Sequence, residues 1–128
     1  MTGINLKGKT ILIVDDVEDN IALFSFFLEN TQAKLLFAKN GREAVQICRS
    51  DSDIHLVLMD IQMPILNGLD ATSEIRTFNQ KLPIIAVTAY AFSGDKQCCI
   101  DVGCNDFLSK PIDSEALFQM IKSYLVEV

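Results

Sequence analysis

The chain has 128 residues, of which 49% are hydrophobic, and its 17 acidic against 11 basic residues give a formal net charge of −6. This length suits one domain that is large enough to bury a core. The negative charge and the lack of a basic stripe argue against direct contact with nucleic acid. No apolar run reaches the roughly 20 residues that cross a bilayer, and residues 1–8 lack the apolar stretch of a secretion signal. We therefore expect a cytoplasmic domain, or the cytosolic part of a membrane-bound protein, that makes no membrane contact of its own.

Strand and helix patterns alternate after a short polar lead over residues 1–8. Five apolar runs predict strands, at residues 10–14, 35–38, 56–59, 84–87 and 107–108. Helical patterns follow them, at about 18–29, after Asn40–Gly41, at 69–78, at about 93–102 and from Asp113 or Ser114 onward. The fourth helix has the weakest apolar stripe, and Gly103 is placed to end it as a glycine cap.

This alternation predicts an α/β fold in one domain, with a core at about 9–126. Apolar runs separated by helices indicate strands that are buried on both faces of a parallel sheet, with helices on either side. Right-handed crossovers favour a flavodoxin-like strand order of 2-1-3-4-5.

Polar residues follow four of the predicted strands. Asp15 and Asp16 come after the first strand, Asp60 after the third, Thr88 after the fourth, and Lys110 closely after the fifth. The carboxyl ends of parallel strands lie along one edge, where such sheets bind ligands. Three carboxylates that meet there repel one another unless a cation or proton lies among them. Mg²⁺ is favoured, since it takes oxygen ligands and often shares its site with phosphate.

Each of these residues also has an ordinary structural explanation. Asp15–Asp16 could simply turn the chain and cap the first helix, and a threonine at a strand end is common. A lysine is usually solvated at the surface. The repetition of the carboxylate at Asp60 favours the metal site over these explanations. Beside such a metal site, Thr88 could donate a hydrogen bond to a phosphoryl oxygen, and Lys110 could pair with the negative charge of the phosphoryl group.

The cysteines give no sign of a zinc site. None of the four forms a Cys-x-x-Cys pair, and the one histidine, His55, is distant in sequence. In a reducing compartment, free thiols behave as small buried hydrophobes. We therefore predict that all four are structural; they are Cys48, Cys98, Cys99 and Cys104.

The segments ILIVDD, LVLMDIQMP, LNGLDAT, AVTAYA and FLSKPI resemble the receiver domain of bacterial-type two-component response regulators. The resemblance covers residues 9–126, with the motifs in order and at suitable spacing. The segments DIQMP, NGLDAT, TAYA and SKPID are especially similar to those of receivers attached to hybrid histidine kinases. The resemblance therefore implies either a receiver excised from such a kinase, which the motifs favour, or a stand-alone response regulator that acts through protein contacts.

The resemblance also implies a metal-dependent phosphoryl transfer. Asp60 would attack the phosphohistidine of a histidine kinase or a histidine phosphotransfer protein and form an acyl phosphate. Asp16, Asp60 and the backbone carbonyl of Gln62 would ligate Mg²⁺, and Asp15 would hold the metal through water. The domain would thus catalyse its own phosphorylation and dephosphorylation without being a conventional enzyme.

The same resemblance implies a conformational switch. Thr88 and Lys110 would bind the phosphoryl oxygens, and Phe107 would enter the space that Thr88 vacates. The altered surface would comprise the fourth helix, fifth strand and fifth helix, through which the domain could self-dimerise. Phe107 stands where many family members have tyrosine, so it lacks a hydroxyl. Gln62 and Tyr90 would flank the path of an attacking water, and we predict that they set the lifetime of the phosphoryl group.

Three other functions compete with this interpretation. A phosphatase of the haloacid dehalogenase type needs a second aspartate two residues after its nucleophile, where this chain has Gln62. A flavin- or nucleotide-binding module needs a loop rich in Ser, Thr or Gly after the first strand, where this chain has Asp15–Asp16. A degenerate receiver that only binds proteins would lack some of the five site residues, and all five are present.

Overall fold

The computed structural model describes residues 4–89 and 95–126. The strands are β1 (Thr10–Val14), β2 (Lys34–Ala38), β3 (Leu56–Asp60), β4 (Ile84–Thr88) and β5 (Asp106–Ser109). The helices are α1 (Glu18–Leu28), α2 (Gly41–Ser50), α3 (Gly68–Arg76), α4 (Asp95–Val102) and α5 (Ser114–Leu125), and a short 3₁₀ turn (Glu29–Thr31) follows α1. No helix in these two ranges is long and apolar enough to span a bilayer.

The five strands form one parallel sheet in the order β2-β1-β3-β4-β5. This confirms the predicted class and strand order. Several strands extend into polar residues that an apolar pattern misses, such as Asp60 and Thr88, because the backbone ladder continues whatever the side chain. The predicted start of the fourth helix at 93 lies outside the described residues.

Neighbouring strand residues point to opposite faces of the sheet, and both faces are buried. One face, with Leu12 and Val57, packs under α2, α3 and α4. The opposite face, with Ile13 and Leu58, packs under α1 and α5. Helices therefore cover both sides of the sheet, as the alternation predicts.

Two expectations about local environment need correction. Cys98 is exposed, whereas the other three cysteines are buried, because α4 turns Cys99 inward and its neighbour outward. The lead is not merely polar, since Leu6 is 1% exposed and its backbone N–H donates to the Thr31 carbonyl at 2.6 Å. The packed part of the chain therefore begins before residue 9.

Two predicted helix caps are present, one at the start of α5 and one after the end of α4. Asp113 accepts a hydrogen bond from the backbone N–H of Ala116 and so caps α5. Gly103 follows α4 with a φ of 112°, in the left-handed region that favours glycine. The two helices pack on opposite faces of the sheet.

Candidate functional site

Three carboxylates meet at the carboxyl edge of the sheet. Asp15 and Asp16 follow the last residue of β1, and Asp60 is the last residue of the neighbouring β3. One carboxylate oxygen from each of them lies within 4.8 Å of the others. The strand order thus brings together residues that are 45 positions apart in the sequence.

The three carboxylates differ in burial. Asp15 is 1% and Asp60 3% exposed, whereas Asp16 faces solvent. The pKa of Asp60 is raised to about 6, chiefly by burial and also by the charge of Asp15, while Lys110 and the Gln62 backbone N–H oppose the shift. The charge of Asp15 therefore repels the ionised carboxylate of Asp60.

Asp15 is only partly satisfied by its surroundings. Its Oδ1 accepts a hydrogen bond from the Val17 backbone N–H at 2.9 Å. Its Oδ2 is buried and has no hydrogen-bond partner among the described residues. A buried carboxylate oxygen in this condition is costly unless a cation approaches it. Together with the oxygens of Asp16 and Asp60, it forms a donor set that suits a hard divalent cation such as Mg²⁺.

Lys110 brings a positive charge to the buried pair. Its Nζ lies 3.3 Å from Asp60 Oδ1 and 3.7 Å from Asp15 Oδ2. Its backbone N–H donates to the Thr88 carbonyl at 2.8 Å, and the Lys110–Pro111 peptide bond is cis. At these two distances from Asp60 and Asp15, the ammonium contacts both carboxylates directly.

The remaining predicted residues surround this centre. Thr88 is buried at the end of β4, one residue beyond Val87, which pairs with Asp60. The Gln62 side chain is exposed, and its backbone N–H donates to Asp60 Oδ1 at 3.2 Å. Phe107 is half-buried on β5, and Lys96 Nζ lies 4.8 Å from its ring centroid. Tyr90 lies outside the described residues.

Gly68 is a residue of the site whose role sequence reasoning missed. A Cβ at this position would collide with the Asp60 carbonyl oxygen, and the Gly68 N–H donates to the Ile61 carbonyl at 3.0 Å. The pair Asn67–Gly68 signals a turn in the sequence. Only the structure shows that glycine lets α3 begin directly against the backbone of Asp60.

A small apolar groove borders the site. Residues of α1 and of the segment before α5 line it; they are Asn20, Leu23, Phe24, Lys110, Pro111 and Ile112. Lys110 belongs to both the groove and the charged centre. An apolar groove thus adjoins the lysine that contacts the carboxylates.

Comparison with known proteins identifies one family and several relatives. The family model described as the response regulator receiver domain matches residues 11–122. The polar-differentiation response regulator DivK of Brucella anthropi is 37% identical over 119 residues, which cover 91% of this chain and 96% of that protein. The hybrid signal transduction histidine kinase M of Dictyostelium discoideum is 37% identical over 118 residues, which cover 88% of this chain but 5% of that protein.

Solved structures show the same fold. A chain in the Saccharomyces cerevisiae co-crystal of the histidine phosphotransfer protein Ypd1 with the receiver domain of its response regulator Ssk1 superposes with a TM-score of 0.88. It is 33% identical, and the match covers 94% of this chain and 90% of that one. The receiver domain of the sensor histidine kinase PA1611 from Pseudomonas aeruginosa, with magnesium in its active-site cleft, is 31% identical at a TM-score of 0.87. That match covers 94% of this chain and 99% of the other.

Proposed function

This chain belongs to the response regulator receiver family of two-component signalling, and we propose that its Asp60 accepts a phosphoryl group from a phosphohistidine. One observation carries the proposal: a buried carboxylate lies 3.3 Å from an ammonium and within 4.8 Å of two further acidic groups. Such a centre has the parts that phosphoryl transfer requires, namely a nucleophile, ligands for a cation and a fixed positive charge.

In the proposed reaction, an Asp60 carboxylate oxygen attacks the phosphorus atom of the phosphohistidine. A bond from this oxygen to phosphorus forms as the bond from phosphorus to the histidine nitrogen breaks, which leaves an acyl phosphate. Asp15, Asp16, Asp60 and the Gln62 backbone carbonyl would hold Mg²⁺, which supplies neutralisation of the phosphoryl charge. The Asp15 oxygen that accepts no hydrogen bond and the magnesium in the related PA1611 receiver support this assignment.

Lys110 and Thr88 receive the transferred group in this proposal. The Lys110 ammonium already lies against Asp60, so a small movement carries it to a phosphoryl oxygen. The Thr88 hydroxyl, at the end of the next strand, donates to a second oxygen. As Thr88 moves, Phe107 turns inward, and the surface of α4, β5 and α5 changes, where a self-dimer could form. Gln62 and Tyr90 set how long the phosphoryl group survives.

We assign the phosphodonor to a histidine kinase or a histidine phosphotransfer protein. The related yeast receiver was crystallised with such a phosphotransfer protein. The apolar groove beside Lys110 supports docking of a protein at this site. We also propose that the domain is located in the cytoplasm.

Two molecular contexts fit the chain. The hybrid-type motifs and the match to part of a hybrid histidine kinase favour a receiver within a longer kinase. The match to nearly the full length of DivK favours a stand-alone response regulator. The length of the natural open reading frame distinguishes them.

The proposed function is tested by incubation with Mg²⁺ and acetyl phosphate, followed by intact-mass measurement. The wild type is expected to gain one phosphoryl group, and Asp60→Asn is expected to gain none because it lacks the nucleophile. Asp53→Asn, an exposed aspartate in the turn before β3, serves as the matched control and should gain the group. Removal of Mg²⁺ with EDTA should abolish the gain. No adduct on the wild type, or an equal adduct on Asp60→Asn, would contradict the proposal.

A further inference from the structure

Helix α1 is apolar on more sides than the sheet can cover. Residues 21–28 contain Ser25 as their one polar residue. Phe24 and Leu28 are buried against the sheet, whereas Leu23 is 38% and Phe26 67% exposed. A surface helix normally carries polar residues on its outer face, and an apolar outer face is typical of a helix that another element covers.

The exposed end of this face opens into a second groove. Phe26 and Phe27 of α1 line it together with Phe118 of α5, and the cavity measures about 380 Å³. The centroids of the Phe26 and Phe27 rings lie 6.1 Å apart. Glu29 and Glu115 also line it, so aromatic rings and carboxylates share the groove.

The surrounding charge indicates the occupant. The charged residues that line the groove are Glu29 and Glu115, and no lysine or arginine of the described residues lines it. A second copy of the chain, which carries the same net charge of −6, is disfavoured by repulsion, and so is an anionic membrane surface. A basic segment gains from the same field, and an amphipathic helix presents one apolar stripe to a groove of this kind.

We propose that the groove between α1 and α5 binds a basic amphipathic helix of a partner protein. Apolar residues of that helix contact Phe26, Phe27 and Phe118, and its flanking lysines or arginines pair with Glu29 and Glu115. The groove contains none of the proposed phosphoryl-site residues. Binding is therefore expected with or without phosphorylation of Asp60, and it does not rest on the proposed function.

The first test uses a designed peptide of about four helical turns, with a leucine stripe flanked by lysines. Its affinity for the full chain is measured by isothermal titration calorimetry. Phe26→Ser should weaken binding about tenfold or more, because aromatic side chains in such grooves dominate the affinity. Phe37→Ser, at an exposed phenylalanine of the edge strand β2, should bind like the wild type. Asp60→Asn should also bind like the wild type.

The second test exchanges the charges. A peptide with the same leucine stripe but glutamates in place of lysines should not bind the wild type. The double variant Glu29→Lys with Glu115→Lys should bind the acidic peptide and lose the basic one, with circular dichroism as the check on folding. Equal binding of both peptides by the wild type would overturn the proposal. So would a wild-type dimer that Phe26→Ser dissociates and that does not bind the basic peptide.

Discussion

Asp60 is held in an unfavourable state when no cation neutralises the site. Burial and the neighbouring Asp15 both raise its pKa, and Lys110 compensates only in part. A carboxylate that repels its neighbour binds a proton or a cation more strongly. The same strain that costs stability therefore prepares the site for Mg²⁺ and for phosphoryl transfer.

The stability of the metal-free chain should depend on the charge of Asp60. Its pKa is about 6 in the folded chain against 3.8 for an unperturbed aspartate. Between these values the folded state binds more protons than the unfolded state, so stability falls as the pH rises, and the loss is complete above pH 6. Asp60→Asn should therefore be more stable at pH 7 by about 1–3 kcal/mol.

Urea unfolding in EDTA measures this difference. The advantage of Asp60→Asn should shrink as the pH falls from 7 towards 4, because wild-type Asp60 then becomes neutral. The exposed Asp53→Asn serves as the control and should show little change. An advantage that is independent of pH would contradict the electrostatic explanation.

Lys110 should act on Asp60 through its charge. Replacement of Lys110 by Met removes the ammonium while keeping a side chain of similar length. The pKa of Asp60 should rise above its wild-type value of about 6, since the Lys110 charge lowers it. Carboxyl ¹³C NMR titration without metal measures this pKa. Lys122→Met, at an exposed position in α5, is the control; an unchanged Asp60 pKa in Lys110→Met would show that the contact has no electrostatic effect.

At the scale of elements, the end of α4 is fixed by α3. Arg76 of α3 donates to the Gly103 carbonyl at 2.9 Å, to the Asn79 carbonyl at 3.0 Å and to Asn105 Oδ1 at 2.9 Å. The backbone N–H of Cys104 also donates to the Cys99 carbonyl at 2.9 Å. This hydrogen bond closes a loop of six residues that contains Gly103, which is the pattern of a Schellman motif. The carboxyl end of α4 is thus fixed, although the helix has few buried residues.

Replacement of Arg76 by Lys tests this anchor. A lysine keeps the charge but cannot form the same fork of hydrogen bonds. We expect a loss of about 1–3 kcal/mol in the free energy of unfolding and faster hydrogen exchange in α4.

Arg42→Lys gives a matched control for this experiment. Arg42 also forms two hydrogen bonds with its fork, at 3.0 and 3.1 Å to Glu74, but both side chains are exposed. Its replacement should cost no more than about 1 kcal/mol and leave exchange in α4 unchanged. Equal effects of the two substitutions would show that Arg76 is an ordinary surface residue.

At the scale of the molecule, two helical layers share one sheet. Ile75 of α3 is fully buried in one layer and Leu117 of α5 in the other. Since each strand contributes side chains to both layers, loss of packing in one layer weakens the sheet on which the other depends. We therefore propose that the chain unfolds as one domain.

Substitution in each layer tests this proposal. Ile75→Ala and Leu117→Ala should each lower the free energy of unfolding by about 2–5 kcal/mol, because each leaves a cavity in the core. Both variants should keep a single transition in near- and far-ultraviolet circular dichroism. Exposed Phe37→Ala should change the stability little. Two separate transitions in either core variant would indicate two folding units.

The sequence by itself determined the class, the strand order and the place of the charged residues. Strands that are buried on both faces contain long apolar runs, and their alternation with helices restricts the topology. The class and the strand order can therefore be predicted from local sequence patterns. The polar residues at the carboxyl ends of β1, β3 and β4 could be assigned to one edge for the same reason. The buried thiol of Cys99 and the exposed one of Cys98 could not be distinguished, because their sequence positions give no reliable helix face.

Only the tertiary structure decided how the side chains at the edge interact. Three features depend on the approach of separate chain segments: the 3.3 Å contact of Lys110 with Asp60, the Asp15 oxygen that accepts no hydrogen bond, and the need for glycine at position 68. The groove between α1 and α5 likewise arises from two helices that are distant in sequence. Local patterns specify which elements form, whereas distances and burial between elements follow from packing, which no single segment encodes.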